Sequence, residues 1–144
     1  MHKSILLAVL AGAALADAPK PPSTEEALVA DPAEAKFAPV NVPGMPAGAQ
    51  GAMIGVDPNT KGATTYAKLP AKYHFPAHWH SFTEYTVLIS GAATLSIDGK
   101  PHELVPGSYV VIPAKTKHEL DCGAASECLL LTRRGGPTDY NFVK

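Results

Sequence analysis

A chain of 144 residues, 46% of them hydrophobic, with 12 Lys and Arg against 13 Asp and Glu, has material for one domain with a proper core and little more. The formal charge of −1 supplies no basic field to draw in a phosphate backbone, and Arg133-Arg134 is only a pair, so nucleic acid is not an expected partner.

In chain order, Met1-His2-Lys3 is a short positive start, and residues 4–13 form an apolar run too short to span a bilayer. Ala14-Leu15-Ala16 then offers small residues at the two positions a signal peptidase reads. Residues 1–16 are therefore expected to be a secretory signal whose cleavage leaves no stable membrane anchor, giving a periplasmic or secreted protein. No twin-arginine precedes the apolar run, which points to export unfolded and to folding outside the cytoplasm. Residues 17–50 read as an irregular arm, because seven prolines between Pro19 and Pro46 would interrupt any long helix. One helical turn is expected at 23–30, with Ser23 or Thr24 as its cap and Glu25 and Glu26 in its first turn.

From 51 to 144 the texture is that of one all-β domain with a C-terminal tail. Strands are expected at 52–56, 64–69, 84–90, 92–97, 102–105, 108–112, 117–122 and 128–133, each short and rich in β-branched or aromatic residues. Asp57-Pro58-Asn59, Asp98-Gly99 and Pro106-Gly107 separate them, and Asp98-Gly99 is the clearest hairpin turn. Short strands without long amphipathic helices between them argue for an antiparallel sandwich or barrel. Cys122 and Cys128 bracket a five-residue turn, so in a hairpin they can face each other at disulfide distance, which an oxidising compartment favours. The alternative is two small buried apolar residues flanking a turn.

The chemistry concentrates in His78-Trp79-His80. In an extended chain His78 and His80 project to one face and Trp79 to the other. Glu84 follows with the same parity after a Ser81-Phe82-Thr83 bend, so two imidazoles and a carboxylate can converge. A further donor is expected from His118, which begins a strand after a Pro-containing turn; His102 reads as an exposed hairpin residue and His74 as a rim residue. Three imidazoles and one carboxylate suit a divalent first-row metal, with Fe, Mn, Ni, Cu and Zn all allowed, and leave two positions of an octahedron open. By parity Thr86 and Leu88 face the pocket, while Tyr85, Val87 and Ile89 pack against another layer or subunit.

These residues resemble the two motifs of the cupins. The first, G-x5-H-x-H-x3,4-E-x6-G, is matched from His78 through His80 and Glu84 to Gly91; the second, G-x5-P-x-G-x2-H-x3-N, keeps its spacing from Gly107 through Pro113 to His118. Fifteen residues separate Gly91 from Gly107, as in short single-domain bacterial cupins. Three positions depart from the pattern: Lys72 and Lys115 stand where the motifs have glycine, and Cys122 where they have asparagine. The resemblance implies a single jelly-roll barrel (a double-stranded β-helix), one divalent transition metal on His78, His80, Glu84 and His118, and a homodimer. It also implies an oxidoreductase of dioxygenase type acting on a small organic substrate, with Glu84 as a catalytic proton acceptor. A non-catalytic sensor or binding module and a metal-dependent lyase or isomerase are the alternatives, since cupins include both.

Overall fold

The computed structural model describes residues 27–144; the signal expected at 1–16 and the first part of the arm lie outside them. Eleven strands and no helix occur among the described residues: β1 (Ala38–Pro39), β2 (Gln50–Val56), β3 (Ala63–Leu69), β4 (His74–Trp79), β5 (Glu84–Ser90), β6 (Ala93–Ile97), β7 (Lys100–Leu104), β8 (Tyr109–Ile112), β9 (His118–Cys122), β10 (Cys128–Arg134) and β11 (Asn141–Phe142). They form two antiparallel sheets, β1-β2-β3-β10-β5-β8 and β11-β4-β9-β6-β7, packed face to face as a jelly roll. Strict alternation drives this packing. On β5 the even residues Glu84, Thr86 and Leu88 are buried while Tyr85, Val87 and Ile89 are only half-buried. Leu88, Leu95, Ile112, Leu120 and Leu130, drawn from both sheets, form the centre of the core.

The helical turn expected at 23–30 is not seen in its described part. Residues 27–30 are irregular, the Ala30 carbonyl accepts from the Tyr66 hydroxyl at 3.0 Å, and the first turn comes later, where the Asp31 carboxylate accepts from Ala33 N. The arm then serves as a plug at one end of the barrel. Val40 and Met45 pack on the core, Val40 N donates to Ala49 O, and the Tyr73 hydroxyl donates to Pro46 O at 2.6 Å.

Turn chemistry explains the hairpins. Asp98 and Gly99 both take positive φ, 47° and 78°, the two-residue turn that matches strand twist between β6 and β7. Cys122 and Cys128 form a disulfide with Cα atoms 5.9 Å apart, across the turn from β9 to β10.

The two lysines that replace motif glycines keep the glycine backbone. Lys72 and Lys115 each have φ of 64°, each in a Pro-Ala-Lys turn closed by a bond back to the proline carbonyl, from Tyr73 N and Thr116 N. A left-handed L-residue costs about 1–2 kcal/mol, and glycine's extra chain entropy offsets about 0.5–1 kcal/mol of that. Lys72→Gly and Lys115→Gly are accordingly expected to leave stability unchanged or raise it by up to about 1 kcal/mol, measured by urea unfolding; a loss of that size would contradict the strain.

Candidate metal centre

The barrel brings the predicted residues together from both sheets. His78 on β4 lies directly opposite His118 on β9, His80 follows the end of β4, and Glu84 opens β5 in the facing sheet. A bulge in β4 between Phe75 and His78 sets this up, and Pro76, which has no N–H to give the ladder, sits within it. The nitrogen atoms that His78, His80 and His118 can offer lie within 4.8 Å of one another, and all three residues are buried. His74 and His102 stay exposed at the surface.

Each of the three histidines is held by its Nδ1. Nδ1–H of His78 donates to Pro76 O at 2.7 Å, that of His118 to Thr116 O at 3.0 Å, and that of His80 to Asp139 O. A carbonyl only accepts, so the proton is on Nδ1 and every Nε2 presents a lone pair inward. Burial pushes His78 down to about 3, helped by neighbouring His118, and pushes His80 down to about 3, helped by the Arg134 guanidinium; burial also lowers His118. The imidazoles are therefore neutral at neutral pH, the state a metal ligand needs.

Glu84 completes the cluster. Its Oε1 accepts from the Thr86 hydroxyl at 2.6 Å, and its Oε2 lies 3.0 Å from His80 Nε2 and 3.7 Å from His118 Nε2. Nε2 of His78 and of His80 are buried without hydrogen-bond partners. Inward lone pairs on buried acceptors are costly unless a cation sits among them, so the donor set fits a divalent transition metal.

Lowering the pH should undo this. Both histidines have depressed folded values, so their contribution is present above the unfolded value near 6.5 and is lost as the pH falls toward about 3. Within that window each removes about 1.4 kcal/mol per pH unit from the stability of metal-free protein. Urea midpoints measured from pH 7 to pH 4 should fall steeply, and a flat profile would mean the imidazoles are not neutral when folded.

A sequence-family model described as a cupin domain matches residues 65–132, the span that carries all four of these side chains within the jelly roll. Residues 65–132 are a cupin domain. Solved structures similar to this cupin include the polyketide cyclase RemF from Streptomyces resistomycificus (18% identity, TM-score 0.67, 83% of this chain and 87% of that one) and KdgF from Halomonas sp. (17%, 0.60, 73% and 90%). A structure of the DMSP lyases RdDddP and RnDddQII is also similar (17%, 0.58, 67% and 53%). At these identities the likeness is one of fold. No curated protein matches the sequence.

The cavity that adjoins the cupin site has a volume of about 110 Å³ and is walled mainly by apolar side chains such as Phe75, Leu95, Ile112 and Leu130. Thr86 lines it; Leu88, on the same face of β5, is fully buried in the core and does not. Sequence reasoning missed one contributor and left open whether a second, the tail at Tyr140-Asn141-Phe142, covers the pocket or a partner. Arg134, at the end of β10 opposite Glu84, is buried with its guanidinium against Glu84 Oε2. Its signal was the inward parity of Leu130, Thr132 and Arg134, which puts a cation on the core side of an apolar strand. The C-terminal tail is the other: β11 pairs with β4, Asp139 binds Ser81 through N and Oγ and His80 through its carbonyl, and the Tyr140 ring lies 5.2 Å from that of His80. Residues 139–142 therefore roof the site with this chain's own backbone.

Proposed function

We propose that this cupin is an exported metal-dependent oxidoreductase of the dioxygenase type, acting on a small organic substrate at a centre of His78, His80, His118 and Glu84. The observation that carries the reading is the convergence of three neutral, carbonyl-anchored imidazoles on one buried point beside an apolar cavity. When bound, a divalent first-row metal supplies Lewis acidity and redox capacity there. The chain's own residues do the rest. The apolar wall and the tail exclude water, Thr86 holds one oxygen of Glu84, and the other oxygen is placed to accept a proton from an enol or phenol. The Cys122–Cys128 disulfide supports a location outside the cytoplasm. Tyr109 and Val111, exposed beside half-buried Tyr85 and Val87 on the outer face of one sheet, support a homodimer through that face.

A second reading, a metal-dependent lyase or isomerase, draws support from Tyr140, a phenol lining the same cavity that could exchange a proton with substrate. Oxygen uptake by metal-loaded protein with a panel of phenols and diketones tests the first reading. Turnover of the same panel without oxygen would replace it with the second, and saturable binding with no turnover would leave a sensor or binding module.

A further inference from the structure

We infer that Arg134 is the anchor for a carboxylate, so that the substrate is a small organic acid whose apolar body fills the cavity above the metal site. The inference rests on the metal reading and adds the substrate class to it. Among the described residues that line the cavity, Arg134 is the one lysine or arginine. It is 6% exposed, and its Nη1 pairs with Glu84 Oε2. Among the described residues no second carboxylate forms an ion pair with it, and the Tyr140 side chain lies beside it, its ring 5.7 Å from the central carbon of the guanidinium.

Charge counting gives the argument its direction. A divalent cation on three neutral imidazoles and one carboxylate keeps one net positive charge, and Arg134 adds a second within the same buried space. Glu84 cannot neutralise both. Asp139, whose charge also reaches Arg134, is half-buried and hydrogen-bonded to Ser81 and Asn141, so it offsets the excess only in part. A buried double positive charge is expensive unless an anion joins it, and a guanidinium is shaped to take a carboxylate through two parallel bonds. The wall beside Arg134 suits that guest. Thr65, Thr132 and Thr86 lie in register across β3, β10 and β5, two pairings along from Arg134 and Glu84, and all three line the cavity. If Arg134 served only to neutralise Glu84, a buried ion pair would be doing what an apolar pair of similar volume does at least as well.

The test is calorimetric titration of metal-loaded protein with two pairs of near-isosteric probes, benzoate against benzamide and butyrate against butyramide, with metal content measured on every sample. Wild type should prefer each acid to its amide by about tenfold or more, as expected for charge-assisted hydrogen bonds. Arg134→Met should lose the preference while keeping its metal. Arg134→Lys, which retains the charge and fills most of the volume, should keep part of it. Equal binding of acid and amide by wild type overturns the inference, as does a preference that survives in both variants, or metal lost from both variants. A wild type that takes up no metal overturns the metal reading itself, and the inference with it.

Discussion

Replacing His78 with alanine is expected to lower the affinity for one equivalent of divalent metal by at least about a hundredfold. Changing only an outer partner of a metal ligand costs about 10–100-fold, so losing a ligand should cost no less. Of the three imidazoles His78 is the most deeply placed, with 0% of its surface exposed, and its ring stands 4.2 Å from that of His118 and 4.8 Å from that of His80. Its Nε2 has no hydrogen-bond partner, so the lone pair it contributes has no other use in the fold. His74→Ala and His102→Ala, both at exposed positions, should leave the affinity unchanged and serve as controls. Competition with a chromogenic chelator reads the affinities, and urea unfolding of the metal-free proteins separates loss of a ligand from loss of the fold. Equal affinity in wild type and His78→Ala would mean the convergence of imidazoles is not a metal site.

Arg134→Met is expected to destabilise the metal-free protein by about 3–5 kcal/mol, because it leaves the buried Glu84 carboxylate without its cation. The double variant Glu84→Gln/Arg134→Met should recover much of that loss, since removing both charges removes the penalty along with the pair. Saturating metal should also rescue Arg134→Met, by putting a second cation within reach of Glu84 and by stabilising the folded state through binding. Urea unfolding of wild type, both single variants and the double variant, with and without metal, gives the coupling directly. Additive losses in the absence of metal would show that Arg134 and Glu84 do not neutralise one another.

Much of the fold was legible because alternation and turn residues agree. β5 has the bounds expected from its pattern, Asp98-Gly99 makes the predicted hairpin, and His78, His80 and His118 converge with Glu84 beside His80 and His118. The strands missed were those whose pairing is not written in their own residues. β4 contains Pro76 and is broken by a bulge, while β1 and β11 are two-residue edges that owe their geometry to β2 and β4. Arg134 was hidden for a different reason. Read locally it is half of a surface-like Arg-Arg pair, and only its register opposite Glu84 turns it into a buried counter-charge. Leu88 shows the limit of parity in the other direction: it has the inward face, but it is buried in the core and does not line the cavity. The lysines at 72 and 115 show that a motif glycine reports a backbone angle, which another residue can adopt at a cost in strain.

The most direct measurement is elemental analysis of untagged protein purified without chelators, alongside His80→Ala. A three-histidine, one-glutamate centre predicts about one equivalent of a first-row transition metal in wild type and little in the variant. Wild-type protein that holds no metal, even after incubation with iron, manganese, nickel, copper or zinc and removal of the excess, would contradict it.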